Sequence, residues 1–334
     1  MLTVGIRANT VEITVILCTY NRCQSLAKTL SSIAASTFVQ PVAWQVLVVD
    51  NNSNDRTRQV VEEFCSLYPG RFRYLFEATP GKSHALNAGV REARSDILAF
   101  TDDDVIVEPT WLSNLTASLR EEKYAGAGGR IILDWPSSVP SWMSIEGSYA
   151  RHPFPGFDQG KEAKDLTGPP FGANMAFRKA AFEKHGLFRT DLGPSPAPWI
   201  PPHSEDTEFG RRLITAGENL RYEATAVVHH PVSNDRIDKR YFLSWHFDLG
   251  RADVRIASTR GDRGMSLHFL GSLVMWLLRW MIAVEPRVRF YCKLIVWQKV
   301  GALAEYWRGR SSKDLGRLPS AYRSDIGSPP TDLA

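Results

Sequence analysis

The sequence predicts an α/β fold, in which a mostly parallel sheet is flanked by helices and followed by a C-terminal helical extension. Three observations favour it. Short apolar runs alternate with helical patterns over residues 12–133, as in consecutive βαβ units. Several of these runs end in carboxylates or amides, which is typical of strands that deliver side chains to a ligand site. From residue 236 onward, apolar residues recur at helical spacing instead.

The first half of the sheet follows from regular patterns. The predicted strands cover 12–18, 44–49, 72–76 and 97–100, and the predicted helices between them cover 24–35, 56–66 and 83–93. Most of these strands are short apolar runs bounded by polar residues, as expected for buried parallel strands. Asp55 suits the N-cap of the second helix. Pro80 and Gly81 turn the chain before the third helix.

The following elements are less regular. Predicted strands cover 125–133, 171–177 and 220–228, predicted helices cover 109–122 and 204–216, and predicted loops cover 134–168 and 189–204. Pro109 suits the first position of a helix. The helix after Ser204 has acidic residues in its first turn and ends before Gly217. Long loops in a compact domain often act as lids or binding loops.

The bulk properties are those of an ordinary globular protein of 334 residues, long enough for about two domains. The four cysteines show no paired spacing and no signal peptide is visible, so we expect reduced thiols and a cytoplasmic location. Residues 236–334 carry 17 Lys/Arg and 9 Asp/Glu, a net charge of +8, which leaves −4 for the rest. No nucleic-acid motif accompanies this basic part, so we expect no nucleic-acid partner.

Three consecutive carboxylates, Asp102, Asp103 and Asp104, follow the apolar run 97–100. Ligands of open α/β sheets bind at the carboxyl ends of the strands, so the triplet lies where a site is expected. Asp102 and Asp104 form a D-x-D pair, and carboxylate oxygens suit Mg²⁺ or Mn²⁺. Taken alone, the triplet is equally compatible with a solvated acidic turn that caps the next helix.

Two further strand ends carry the same kind of sequence. Asp50 and Asn52 follow the run 44–49, and the loop 19–22 follows the run 12–18. In a doubly wound sheet, such ends face one crevice. A nucleotide fits there, because one carboxylate can accept hydrogen bonds from a base or a ribose while another holds a cation against a diphosphate.

Six segments then carry a resemblance. They are VILCTYNR (15–22), VVDNNSND (48–55), GKSHALNAG (81–89), TDDD (101–104), GANMAFR (172–178) and EDTEFGRRL (205–213). In this order and spacing over residues 12–231, the chain resembles family 2 glycosyltransferases of the GT-A fold, a Rossmann-like sheet flanked by helices. The resemblance implies transfer of a sugar from a nucleotide-diphosphate sugar to a hydroxyl of a saccharide or lipid-linked acceptor.

The resemblance also implies roles for individual residues. Asp50 would contact the base, Asp102 the ribose, and Asp104 the metal, Mg²⁺ or Mn²⁺. His230 is a second metal ligand, preferred to His229 because it directly precedes Pro-Val. The residues expected at the donor are Thr19, Tyr20, Asn21, Arg22, Asp50, Asn52, Lys82, Asp102 and Asp103. For Lys82, a plain surface lysine is an equal alternative.

Asp206 is the implied general base, because an acceptor hydroxyl needs a carboxylate within hydrogen-bond reach. One base and one metal suffice for a single displacement that inverts the anomeric centre. The alternative for Asp206 is a carboxylate that only stabilises a helix N-terminus. Asn174 has two equally plausible roles: it contacts a sugar, or its amide forms hydrogen bonds with backbone groups. The rival functions are a nucleotidyltransferase of related fold and an inactive, membrane-associated sugar-nucleotide-binding protein.

The expected organisation is a catalytic domain over 1–235 and a helical extension over 236–310. Within the former, 12–133 would bind the donor and 134–235 would supply the acceptor site and the base. A disordered tail would cover 311–334. Basic and aromatic residues mix over 265–307, which favours an interfacial helix on the anionic inner face of the cell membrane. A subdomain packed on the core, or a dimer interface, explains that segment equally well.

Overall fold

The computed structural model describes residues 12–197, 199–258 and 267–311. The predicted disordered tail lies outside these residues except for Ser311, and so does the start of segment 265–307. The chain forms two compact units. The first comprises the residues up to 134, 155–200 and 205–231, and the second comprises 135–154, 201–204 and the residues from 232 onward.

The first unit is built on one mixed sheet. Its strands are β1 (Ile13–Thr19), β2 (Trp44–Asp50), β3 (Phe72–Phe76), β4 (Ile97–Thr101), β5 (Ile106–Val107), β6 (Tyr124–Asp134), β7 (Lys164–Asp165), β8 (Met175–Arg178) and β9 (Asn219–Pro231). Their order is β3-β2-β1-β4-β8-β6-β9-β5, and β7 pairs with β9. β1 to β4 run parallel, as predicted. β8 reverses direction between β4 and β6, and β6 and β9 are again parallel.

Helices cover both faces of this sheet. They are α1 (Cys23–Ala34), α2 (Thr57–Leu67), α3 (Lys82–Glu92), α4 (Trp111–Leu115), α5 (Lys179–His185) and α6 (Glu205–Thr215). Val15 and Leu17 of β1 pack in one apolar layer with residues of α1 and α2, while Ile16 packs in the opposite layer with residues of α3, α5 and α6. β1, β2 and β4 are buried on both faces, which explains why their sequences are largely apolar.

Two predicted elements differ from the observed ones. The helix expected over 109–122 is only the short α4, since the Thr116 hydroxyl donates to the Leu112 carbonyl and the chain leaves the helix there. The strand expected from residue 171 begins at Met175, because the Asn174 N–H closes a turn onto the Phe171 carbonyl. The short β5, β7 and α5 were not predicted.

The second unit contains α7 (Lys239–Ser258), α8 (Leu267–Ile282) and α9 (Pro286–Ser311). A Cβ atom on Gly250 of α7 would overlap the Gln298 carbonyl oxygen of α9, and one on Gly301 would overlap the Phe247 carbonyl oxygen. The two backbones are therefore in direct contact. Among the described residues, no helix has the length and apolar character needed to cross a membrane.

Candidate active site

The carboxyl ends of β1, β2 and β4 lie side by side. β1 pairs in parallel with β2, with Thr19 opposite Asp50, and with β4, with Leu17 opposite Thr101. The structure thus brings together the loop 19–22, Asp50 and the acidic triplet. They come from three strand ends that are far apart in the sequence but adjacent in the sheet.

The β1–α1 loop is joined to the β2–α2 loop by hydrogen bonds. The Asn21 N–H donates to Ser53 Oγ at 2.9 Å, and Asn21 Oδ1 accepts the Asn54 N–H at 2.8 Å. Asn21 has a φ of 53°, a conformation that asparagine tolerates better than most residues. This leaves the ring of Tyr20 58% exposed at the edge of the site. Asn52, also with a positive φ, is exposed beside it.

Asp50 is buried and held on both oxygens. Its Oδ1 accepts the Ser53 N–H at 2.9 Å, and its Oδ2 accepts the Tyr74 hydroxyl at 2.8 Å. Burial, together with the Asp50 carboxylate, raises the pKa of Tyr74 to about 12. The phenol therefore remains a donor at neutral pH, and the carboxylate has a fixed orientation.

Asn51 lies beside the candidate site, and sequence reasoning missed it. Its amide donates to the carbonyls of Glu77 and Thr79 at 3.2 and 2.8 Å, and its oxygen accepts the Gly81 N–H at 2.7 Å. These bonds fix the turn that precedes Lys82. The available signal was an amide at the end of a buried strand, between two residues already assigned to the donor site.

Arg22 reaches from the β1–α1 loop to the acidic triplet. Its Nη1 lies 2.9 Å from Asp103 Oδ1 and 2.8 Å from Asp104 Oδ2. Asp103 is 5% exposed, and burial raises its pKa to about 6 despite the nearby guanidinium. Asp103 is therefore the member of the triplet that points into the protein.

Asp102, Asp104 and His230 form a cluster able to hold a cation, with one ligand atom from each lying within 4.8 Å of the others. His230 is buried, and its Nε2 lies 3.6 Å from Asp104 Oδ1. His229 points elsewhere, toward Asp134 at 3.3 Å and Glu108 at 3.6 Å. Two carboxylates and one imidazole fit a divalent cation, so this chain's residues suit the metal that the sequence implies.

Lys82 links the acidic triplet to the Glu-Asp pair of α6. Its Nζ lies 2.7 Å from Asp102 Oδ1 and 3.4 Å from Glu205 Oε1. Burial lowers the pKa of Lys82, but the carboxylates of Asp102, Glu205 and Asp206 raise it by a larger amount. The pKa therefore lies well above its ordinary value. The Lys82 side chain is 24% exposed and is paired with two carboxylates, so it is not a plain surface lysine. Glu205, 3% exposed, was missed because its partner is remote in the sequence.

Asp206 lies at the first turn of α6 beside Gly172. Its Oδ2 accepts the Gly172 N–H and its Oδ1 accepts the Thr207 N–H, both at 2.6 Å. Burial raises the pKa of Asp206, while Lys82 lowers it. The carboxylate is oriented by backbone donors, and Lys82 favours its charged form.

The Asn174 side chain forms hydrogen bonds with groups of the sheet and of α4. Its amide nitrogen donates to the carbonyls of Arg130 and Ala226 at 2.9 and 2.8 Å, and its oxygen accepts the Trp111 indole N–H at 2.8 Å. The side chain is fully buried. Of the two readings of Asn174, the structure therefore supports the one in which the amide satisfies groups of the protein.

Comparisons with known proteins agree with this arrangement. The model of the family described as Glycosyl transferase family 2 matches residues 14–186. The chain is 27% identical over 252 residues to the succinoglycan biosynthesis protein ExoM of Rhizobium meliloti (strain 1021), covering 75% of this chain and 77% of that protein. It is 24% identical over 324 residues to the glycosyltransferase AglE of Haloferax volcanii, covering 94% and 97%.

A solved structure shows the same fold. The mannosyltransferase PcManGT from Pyrobaculum calidifontis, in complex with GDP-Man and Mn²⁺, superposes with a TM-score of 0.54 at 19% identity, covering 94% of this chain and 79% of that one. The GT-A architecture that the resemblance implied is thereby confirmed. Since the family model spans more than half of the chain and the curated relatives are glycosyltransferases or act in polysaccharide biosynthesis, the chain belongs to glycosyl transferase family 2 and is a glycosyltransferase.

Proposed function

We propose that this glycosyltransferase moves a sugar from a nucleotide-diphosphate sugar to a hydroxyl of a saccharide or lipid-linked acceptor, with inversion and with Mn²⁺ or Mg²⁺. One observation carries the proposal. Lys82 bridges Asp102 of the cation cluster to Glu205, the neighbour of Asp206. The cation cluster and the candidate base are thus parts of one charged group.

The donor would lie across the ends of β1, β2 and β4. We propose that the nucleotide base contacts Asp50, whose carboxylate is held by Ser53 and Tyr74, and that the ribose contacts Asp102. The loop 19–22, with Asn52, would frame the nucleotide. Lys82 would approach the diphosphate from the start of α3. Asp103 would act through Arg22, which it holds by an ion pair.

Asp104 and His230 would hold the metal, with Asp102 beside them. A divalent ion there supplies neutralisation of the charge that develops on the leaving diphosphate. Arg22 and Lys82 add two fixed positive charges at the same place. Together they would favour departure of the nucleoside diphosphate.

Asp206 would accept the proton from the acceptor hydroxyl. Its two oxygens are oriented by the N–H groups of Gly172 and Thr207, which leaves the direction of the carboxylate fixed before an acceptor binds. Burial raises its pKa, and Lys82 opposes that effect by favouring the ionised form. An oriented, ionised carboxylate is what single displacement at the anomeric carbon requires of the protein.

A thermal-shift screen of UDP-, GDP- and dTDP-sugars, with and without Mn²⁺, tests this function. GDP-mannose is included because PcManGT was solved with it. We expect at least one donor to raise the unfolding temperature only when the metal is present, and the same donor to be consumed when acceptor saccharides are added. Absence of metal-dependent stabilisation by any of these donors would contradict the proposal.

The two adjacent histidines give a matched pair for the metal site. His230→Ala is expected to weaken Mn²⁺ binding by about 10-fold or more, since it removes a buried candidate ligand. His229→Ala should leave it unchanged, because His229 faces Asp134 and Glu108. Titration calorimetry with Mn²⁺ measures both. Equal loss in the two variants would exclude His230 as a specific ligand.

We also propose peripheral membrane contact through α8. Its residues Leu270, Val274, Leu278 and Met281, 44–63% exposed, follow helical spacing and form one apolar stripe. The net charge of +8 over residues 236–334 complements anionic lipid. An apolar stripe with basic surroundings suits the interface of a bilayer.

Vesicle co-sedimentation tests this contact. The double variant Val274→Glu/Leu278→Glu is expected to lose most binding to phosphatidylglycerol vesicles. Leu67→Glu is the control, since Leu67 is 70% exposed on α2 of the first unit. Retention of binding by the double variant, or equal loss in the control, would assign the contact elsewhere.

A further inference from the structure

Three carboxylates surround the ammonium of Lys82, and Glu205 is the one to which the proposed function assigns no substrate. Lys82 Nζ lies 2.7 Å from Asp102 Oδ1 and 3.4 Å from Glu205 Oε1. A Cβ atom on Gly172 would lie 3.6 Å from Lys82 Nζ and 3.1 Å from Asp206 Oδ2, so the third carboxylate flanks the same point of the backbone. Asp102 is assigned to the ribose and Asp206 to the acceptor.

The segment 188–194 covers the Glu205 carboxylate. This segment is fixed against α3, since the Ser83 hydroxyl donates to the Leu192 carbonyl at 2.7 Å. A Cβ atom on Gly193 would come within 3.0 Å of Glu205 Oε2, so the backbone of the segment packs directly on the carboxylate. Glu205 is 3% exposed, which argues against direct contact with either substrate.

The ion pair with Lys82 is the contact through which Glu205 can act on the site. A buried carboxylate is strongly unfavourable without a counter-charge, and Lys82 is the cation that lies beside it. Burial raises the pKa of Glu205, Lys82 lowers it, and the carboxylate of Asp206 adds to the rise. Lys82 thus favours the charged form of Glu205, and Glu205 in turn attracts the ammonium of Lys82.

Lys82 needs such a partner during the proposed reaction. The ammonium of a lysine is carried on a flexible four-carbon stem, so its partners decide where it lies. In the proposed function, Asp102 contacts the ribose beside the metal, and Asp206 becomes neutral when it accepts the proton. Both changes weaken the hold of these carboxylates on Lys82. Glu205 has no other assigned partner and can hold the ammonium throughout.

We propose that Glu205 is a positioning residue that holds the Lys82 ammonium in place for the diphosphate of the donor. The inference rests on the proposed function and adds to it a residue that touches neither substrate. The alternative is a carboxylate that only stabilises the N-terminus of α6. A positioning role acts on nucleotide binding through Lys82, whereas a purely structural role has no reason to depend on Lys82.

A double-mutant cycle on nucleotide binding separates these roles. The probes are UDP, GDP and dTDP with Mn²⁺, titrated by calorimetry into the natural full chain, Glu205→Gln, Lys82→Met and the double variant. Glutamine keeps the size of the side chain and removes its charge. Glu208→Gln is the matched control, since Glu208 lies on the same helix, is 8% exposed and pairs with Arg212 at 2.8 Å.

Glu205→Gln should weaken binding of the accepted nucleoside diphosphate about 10-fold, as expected when a hydrogen bond to a charged group is lost. Glu208→Gln should leave it unchanged. Lys82→Met should weaken it at least as much as Glu205→Gln, and combining the two should cause no further loss. Lys82→Met should also unfold at a lower temperature, because Glu205 loses its cation, and the double variant should recover part of that shift.

Equal binding by Glu205→Gln and Glu208→Gln would overturn the inference. A further loss in the double variant would overturn it too, because Glu205 would then act independently of Lys82. The comparison of the double variant with Lys82→Met decides this point without relying on the folding of Glu205→Gln alone. If the natural protein bound none of the three probes, the proposed function would fail and the inference with it, so the two kinds of failure are distinguishable.

Discussion

Replacing Asp206 by asparagine is expected to lower kcat of sugar transfer by about 10²- to 10⁴-fold, the usual contribution of a general base. Asparagine is nearly the same shape, and its oxygen can still accept one of the N–H groups of Gly172 and Thr207. It cannot accept the proton of the acceptor. Donor affinity should therefore change little, and initial rates together with donor titrations measure the two effects separately.

Glu62→Gln is the control for this loss, since Glu62 forms an exposed ion pair with Arg58 on α2. It should leave kcat unchanged. The pH profile gives a second readout. Because burial raises the pKa of Asp206 and the base acts when ionised, kcat should fall as the pH drops through that raised value. Lys82→Met should move this limb to still higher pH. Full activity of Asp206→Asn would refute the assignment of the base.

The second large effect is expected at the contact between α7 and α9. Gly250→Ala should lower the free energy of unfolding of the second unit by about 3 kcal/mol, near the upper end of the usual cost of overpacking. The added methyl group would meet the backbone of Gln298 and Ala302, and backbone atoms cannot rotate away as a side chain can. Urea unfolding followed by circular dichroism measures the change.

Gly271→Ala is the matched control. Gly271 lies in α8, and a Cβ atom there would meet nothing within 4 Å. Since alanine favours a helix over glycine, this variant should gain about 0.5–1 kcal/mol. The same substitution is thus expected to have opposite signs on two helices of one unit. Equal effects at both positions would mean that α7 and α9 are not in backbone contact.

The half of the sheet formed by β1 to β4 was predictable from the sequence, and so was the grouping of the candidate site residues at its edge. β1, β2 and β4 are largely apolar runs, and the polar residue that ends or follows each run marks its carboxyl end. Because the strands are parallel neighbours, Thr19, Asp50 and Asp102 had to come together. The helical second unit was likewise visible in apolar residues at helical spacing.

The parts of the fold and of the candidate site that the sequence did not predict depend on residues that are distant in the sequence. Glu205 is connected to the candidate site by its ion pair with Lys82, and Asn51 by its hydrogen bond to the turn at Gly81. Neither pairing has a local sequence pattern. β5 and α5 are too short for periodicity to reveal them. The loop predicted over 134–168 is divided between the two units, a division that depends on tertiary packing and leaves no mark in composition.

The hydrogen bonds of the Asn174 side-chain amide restrict the strand register that the sheet can adopt. It can be satisfied only where the carbonyls of Arg130 and Ala226 and the indole of Trp111 converge. Gly129 makes that convergence possible, because any side chain there would occupy the space of the amide. A shift of β8 by one residue would leave the Asn174 amide without hydrogen-bond partners among apolar neighbours. Asn174 and Gly129 thus favour a single strand register in the mixed half of the sheet.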